Sequence, residues 1–227
     1  MLTIRRAAAR GTTDFGWLDS KHTFSFGDYA DPRHHNFRTL RVLNDDRVAG
    51  GQGFGTHPHR DVEIFTWVLS GELAHKDSMG TGATIRAGEW QAMSAGTGVS
   101  HSEFNPSPTV PVHLLQMWIT PAKRGLTPRY QQQAFDPPPG TWQTTLSPDG
   151  RDGSMVIHQD AVVRTATLTA TPLAHALAPG RGAWLHVATG TATVNGIALQ
   201  AGDAVAAEGE PDLTLTGDGR VVLFDLG

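Results

Sequence analysis

Short runs rich in Val, Ile, Thr, Phe and Trp recur roughly every ten residues along this chain, punctuated by Gly, while long amphipathic helical periodicity is scarce. Apolar side chains that do not return about every 3.6 residues offer no stripe for a helix to bury, so the pattern predicts an all-β fold. The expected strands are Arg38 to Leu43, Val62 to Leu69, Ala83 to Ile85, Val112 to Thr120, Thr165 to Thr169, Ala183 to Ala188, Ala192 to Val194, Ala204 to Ala207 and Val221 to Asp225. Turns are expected at Ser70-Gly71, Met79-Gly80, Ala87-Gly88, Asn195-Gly196 and Ala201-Gly202. Asn195-Gly196, flanked by Val194 and Ile197, carries a two-residue hairpin signal.

A length of 227 residues fits one large β domain or two modules of about 100 residues each. Between Pro121 and Gly140 the rhythm breaks: three Gln (131 to 133) and three Pro (137 to 139) give neither strand alternation nor a helical stripe, and the stretch reads as a linker. On either side, Trp67 to Gly88 and Trp184 to Gly202 share one layout of strand, small-residue–Gly turn, strand and Ala-Gly turn. This predicts a repeated β-barrel unit, with an N-terminal barrel over 1–125, a linker over 126–145 and a C-terminal barrel over 146–227.

A formal net charge of -4 without a long basic run argues against direct nucleic-acid binding. Arg5, Arg6 and Arg10 are followed by Gly11, Thr12, Thr13 and Asp14 rather than an apolar core, so no signal peptide is expected. No apolar stretch approaches the roughly 18 residues that span a bilayer, and a soluble, cytoplasmic protein with no membrane partner is expected. With no Cys, disulfides, thiolate nucleophiles and Cys-type metal sites are excluded. Any metal must be held by His and carboxylate.

Of eleven His, two pairs stand out: His57 with His59, and His101 with Glu103. In a strand, residues i and i+2 point to one face, so two such pairs on neighbouring strands would aim three imidazoles and a carboxylate at one point. That donor set suits Fe, Mn, Co, Ni, Cu or Zn. Pro58 lacks an N–H and requires a strand start, an edge or a bulge. Gly50, Gly51, Gly53 and Gly55, then Gly96 and Gly98, allow tight turns before the pairs; their spacing is not that of a phosphate loop. A lone His-x-His is more often a surface or core pair than a site, and it is the His-x-Glu behind Gly-x-Gly that changes the balance. Glu63, four residues after His59, shares the parity of the histidines and competes with Glu103 for the carboxylate position. His34 and His35 face opposite ways, while His22, His158 and His175 have no ligand partners nearby in sequence. His75 either faces a pocket or caps a turn, and of His113 and Gln116 at most one points inward. The Trp residues at 67, 90, 118, 142 and 184 read as core anchors, and Phe54, Phe65, Met93 and Trp118 are candidate pocket walls.

These residues resemble the cupin superfamily, and within it the pirin family. The cupin first motif is approached by Gly51-x5-His57-x-His59-x3-Glu63-x7-Gly71, and the second by Gly98-x2-His101-x3-Asn105. The pirin pattern is matched by His57-Pro58-His59-Arg60, Glu63, His75-Lys76-Asp77-Ser78, and the run from Ser94 to Asn105. Gln116-Met117-Trp118-Ile119, His158-Gln159-Asp160-Ala161 and Gly180-Arg181-Gly182-Ala183-Trp184 extend the likeness over nearly the whole chain. The resemblance implies a bicupin with one divalent transition metal in the N-terminal barrel only, held by His57, His59, His101 and Glu103, with Glu63 supporting the ligands. Iron(II) is the expected ion, with Cu, Ni, Mn, Co or Zn compatible. It further implies a monomeric dioxygenase of the quercetin-cleaving branch, whose partners are a small aromatic substrate and O2 and whose Glu103 doubles as general base. The alternative within the same family is a redox-sensitive regulatory protein acting through protein partners. A third reading is a cupin isomerase or hydrolase with the metal as Lewis acid.

Overall fold

β-branched and aromatic residues at alternating positions build nearly everything in the computed structural model, which describes all 227 residues and departs from strand and loop only in two short 3-10 turns, Ala7–Ala9 and Arg151–Gly153. In chain order the strands begin with β1 (Leu2–Arg5), β2 (Gly11–Asp14), β3 (Leu18–His22), β4 (Leu40–Val48), β5 (Gly53–His59) and β6 (Glu63–Ser70). They continue with β7 (Glu72–Asp77), β8 (Gly82–Arg86), β9 (Glu89–Ser94), β10 (Val99–Phe104), β11 (Val112–Ile119) and β12 (Arg129–Ala134). The remainder are β13 (Gln143–Ser147), β14 (Met155–Val156), β15 (Ala161–Thr167), β16 (Leu173–Ala176) and β17 (Gly182–Thr189). Last come β18 (Thr191–Val194), β19 (Ile197–Gln200), β20 (Ala204–Glu208), β21 (Asp212–Gly217) and β22 (Arg220–Leu226).

The strands divide into two compact units. One, Gly11–Phe135 with residues 157–159, holds a seven-stranded sheet of order β12-β9-β6-β11-β4-β3-β2 and a four-stranded sheet of order β5-β10-β7-β8. Leu18, Val48, Val68, Val112 and Leu114 of the larger sheet meet Leu73 and Ile85 of the smaller in one apolar cluster that joins the two. The other unit, Met1–Arg10 with Asp136–Val156 and Asp160–Gly227, repeats the plan with sheets β1-β20-β17-β22-β15-β13-β14 and β16-β21-β18-β19. Its core includes Leu185, Val187, Val205, Leu213, Leu215, Val221 and Leu223. The expected repeat is visible in the pairing: β6 pairs β9 and β7 pairs β8, just as β17 pairs β20 and β18 pairs β19. At the β18–β19 hairpin Val194 pairs with Ile197, and Asn195 and Gly196 both take positive φ (47° and 82°), as a type I′ turn requires.

The expected boundaries need correction at two places. Leu2–Arg5 pairs with Ala204–Ala207, so the first ten residues belong to the second unit rather than the first. The stretch expected as linker contains β12, an edge strand paired with β9 from Arg129↔Ser94 to Ala134↔Glu89. Its Gln run escaped an alternation test because these side chains are satisfied by neighbours rather than by core: Gln132 Nε2 donates to Thr84 O and Glu89 Oε2, both at 2.9 Å.

The N-terminal attachment is anchored by Asp203, whose carboxyl is buried. It accepts hydrogen bonds from Ala7 N (2.7 Å), Arg6 Nη1 (2.7 Å) and Gln200 N (3.2 Å). Burial alone would raise its pKa, but the hydrogen bonds from Ala7, Arg6 and Gln200 outweigh it and hold the carboxyl below its ordinary value. A depressed carboxylate stabilises the fold above the unfolded pKa near 4, and that contribution is lost as pH falls through the folded value. Asp203→Asn is therefore expected to cost about 1–3 kcal/mol at pH 7. Urea unfolding should show the gap to wild type narrowing below about pH 4. An equal gap at both pH values would contradict the assignment.

Candidate metal centre

The two His-bearing strands lie side by side: β10 pairs with β5 on one edge and β7 on the other, with His101 opposite His57 and Asp77. Pro58 sits in β5, the edge strand, where its missing N–H leaves no ladder position empty. A bulge precedes it, because four residues of β5 (Phe54 to His57) oppose three of β10 (His101 to Glu103). The bulge turns the Gly55 carbonyl towards the imidazole, and His57 Nδ1 donates to Gly55 O at 2.7 Å. Gly53 is required for the close approach that follows, since a Cβ there would lie 2.2 Å from Glu103 O.

With Nδ1–H committed to Gly55, His57 presents an Nε2 lone pair. His101 Nε2 lies 3.1 Å from both His57 Nε2 and His59 Nε2. Three ring nitrogens so disposed cannot all be satisfied by one another, because a neutral imidazole carries one N–H and one lone pair. Two nitrogens each about 2.1 Å from a shared ion lie about 3 Å apart at a near-right angle, so the spacing fits a metal. The charge state fits as well. Burial, then the neighbouring His101 and His57, push His59 down to about 4; burial, then His57 and His75, push His101 down to about 3. Both rings are neutral at pH 7, as ligation requires.

Glu103 is buried and falls outside the His57–His59–His101 group, sharing a second one with His75 and His101, in which the ligand atoms also lie within 4.8 Å. Its carboxylate is held at both oxygens: Gln91 Nε2 donates to Oε1 at 2.6 Å and Gln116 Nε2 to Oε2 at 2.9 Å. Thr66 links the two amides, its Oγ1 accepting from Gln91 Nε2 (2.8 Å) and donating to Gln116 Oε1 (2.7 Å). Cross-strand register produces this arrangement, since Gln91, Thr66, Gln116, Asn44 and His22 are successive partners across five strands. Of the pair His113 and Gln116, Gln116 faces Glu103 while His113 bonds Asp45.

Glu63 is engaged elsewhere. Its Oε2 accepts from Ser94 Oγ at 2.9 Å and His158 N at 3.4 Å, so it does not join the imidazoles. His158, with no partner nearby in sequence, is brought to Glu63 by the stretch 157–159 returning to this unit. His75 neither lines the cavity nor caps a turn: it lies buried with Nε2 3.0 Å from Asp77 Oδ2 and stacks on Tyr130 at 4.7 Å. Gln91, Thr66 and Tyr130 were not singled out in the sequence, and only their register reveals them.

Two of the three imidazoles border a cavity of about 230 Å³, with His57, His59 and Glu103 in its wall and His101 buried behind them. Phe15, Phe26, Phe54 and Trp118 supply aromatic surface. Trp118 meets Phe26 at 5.4 Å and His59 at 5.1 Å, both edge to face. Phe54 and Trp118 thus serve as expected, whereas Phe65 and Met93 are buried outside the cavity lining. No helix is long and apolar enough to cross a membrane.

Comparison with known proteins agrees with this fold. The family model described as Pirin matches residues 3–119, and one described as Quercetinase C-terminal cupin domain matches residues 144–226. The chain is 48% identical over 229 residues to a protein of Escherichia coli (strain K12) named quercetin 2,3-dioxygenase, covering 100% of this chain and 99% of that protein. It is 38% identical over 221 residues to a pirin-like protein of Caulobacter vibrioides, covering 95% of each. Crystal structures of YhhW from Escherichia coli superpose closely: one with TM-score 0.97 at 47% identity over 100% of this chain and 98% of the other, and a nickel(II) complex with TM-score 0.96 at 46% identity over 100% and 99%. With its two barrels and its histidine cluster, this chain belongs to the pirin family and is a bicupin.

Proposed function

We propose that this protein is a metal-dependent dioxygenase that cleaves a flavonol such as quercetin with O2. The observation that carries the reading is a cluster of three imidazoles, two of which, His57 and His59, stand in the wall of an aromatic-lined cavity while the third, His101, lies 3.1 Å from each by its Nε2. The names of its relatives point the same way. His57, His59 and His101 would hold the ion, with Glu103 as the fourth donor; iron(II) is the ion we expect, and the nickel(II) complex of YhhW makes nickel the first alternative.

When bound, such an ion supplies Lewis acidity that lowers the pKa of a coordinated hydroxyl, and redox capacity towards O2. The chain's own residues do the rest. Phe26, Phe54 and Trp118 present apolar faces that hold an aromatic ring system and keep water from it. Glu103 takes the hydroxyl proton on its carboxylate: burial holds its pKa above the ordinary range, against the pull of His75, the Gln91 hydrogen bond, His57 and His59. The Gln91 and Gln116 amides keep that carboxylate in one orientation while using one acceptor direction on each oxygen. Gly55 fixes the His57 ring in the tautomer that leaves Nε2 free.

The test is aerobic incubation of iron-, nickel- or copper-loaded protein with quercetin, following flavonol absorbance and carbon monoxide. Metal-dependent loss of absorbance with release of the gas is expected. Absence of turnover with every metal would overturn the dioxygenase reading.

A further inference from the structure

The cavity has a second polar feature away from the imidazoles. Ser20 of β3 and Asp46 of β4 are cross-strand partners, both buried and both in the cavity wall. Ser20 Oγ donates to Asp46 Oδ1, and the other Asp46 oxygen has no hydrogen-bond partner in the protein. One row along the same strands, His22 and Asn44 are bonded to each other at 2.9 Å and His22 to Thr13 at 2.8 Å. A carboxyl oxygen of a mostly buried side chain that opens to a cavity and lacks a donor is an acceptor available to a ligand group.

The spacing gives that group a place. Asn44 lies directly across from Gln116, the residue that holds Glu103, and Asp46 is two residues farther along β4, roughly 6.7 Å by strand rise. That offset is of the order of the width of a fused two-ring aromatic, and the Phe and Trp faces of the cavity suit such a ring system.

We propose that Asp46, oriented by Ser20, is a second recognition point for a phenolic hydroxyl across the ring system from the edge that faces His57, His59 and Glu103. This rests on the flavonol reading above and narrows it to substrates carrying a hydroxyl at both edges. Burial pushes Asp46 up to about 7, against the pull of the Ser20 hydrogen bond and with Asp45, Glu103 and Asp19 adding to the rise. A phenol that donates to this carboxyl relieves a poorly solvated charge, and a site built around such a hydrogen bond discriminates against ligands that lack the hydroxyl.

The test compares two flavonols on metal-loaded protein under anaerobic conditions, following ligand fluorescence. Quercetin has hydroxyls at both edges, whereas 3-hydroxyflavone keeps only the one at the metal-facing edge. Asp46→Asn is expected to weaken quercetin binding about tenfold or more while changing 3-hydroxyflavone affinity less than about twofold. Ser20→Ala, which keeps the carboxyl but frees it, is expected to shift quercetin affinity in the same direction by less. Equal losses for both ligands, or no loss for quercetin, would overturn the subsite while leaving the flavonol reading standing. Failure of wild-type protein with full metal content to bind either flavonol would overturn the reading and the subsite together.

Discussion

His101→Ala is expected to lose its ion on purification, with metal affinity down by more than about a hundredfold, because removing even a partner outside the ligand set commonly costs about 10–100-fold. His101 is the residue both other imidazoles face, its Nε2 lying 3.1 Å from each. It is also common to the two groups of donor atoms in this unit, so its loss removes a site in either group. His59→Ala and His75→Ala separate the groups. Loss of metal with His59→Ala and retention with His75→Ala is the expected pattern, since His57 and His59 border the cavity whereas His75 is buried away from it with Nε2 engaged by Asp77. Metal content of the purified variants decides the matter, and stoichiometric metal in His101→Ala would sink the assignment.

Gln116→Leu is expected to lower kcat by about 10–100-fold with the ion still bound. The amide it removes closes a ring of four side chains in which Gln116 holds Glu103 Oε2, accepts from Thr66, and shares Thr66 with Gln91. Leu has a similar volume, so the cavity keeps its shape while one carboxylate oxygen and the Thr66 hydroxyl lose a partner. The associated stability loss should be about 1–3 kcal/mol, the usual cost of leaving a buried polar group unmet. Steady-state kinetics on protein of measured metal content reads the effect. An unchanged kcat would mean that the orientation of Glu103 does not matter to turnover.

Much of this was legible beforehand because strand geometry is local. His57 and His59 share a face by their spacing, and so do His101 and Glu103; Pro58 could sit only where a ladder tolerates it, which is the edge strand where it lies. The Asn195-Gly196 turn was likewise legible, since positive φ at two consecutive residues depends on those residues alone. By contrast, β4 continues through Asn44, Asp45 and Asp46, well past the expected end at Leu43. An alternation test stops there because the inward face of that segment is polar, turned to a cavity rather than to a core.

Sequence alone therefore determined the all-β class, the repeated layout and the His-x-His and His-x-Glu pairs. Tertiary structure placed Glu103, with its two amides, beside His75 and His101 and Glu63 beside Ser94 and His158, and it brought Gln91, Gln116 and Asn44 into one cross-strand row, with Gln116, Asn44 and Asp46 facing the cavity. It also gave Leu2–Arg5 to the second unit by pairing it with β20. The physical reason is register: spacing within a strand fixes which side chains share a face, but which strand lies beside it, and at what offset, is set by packing across the whole sheet between residues far apart in the chain.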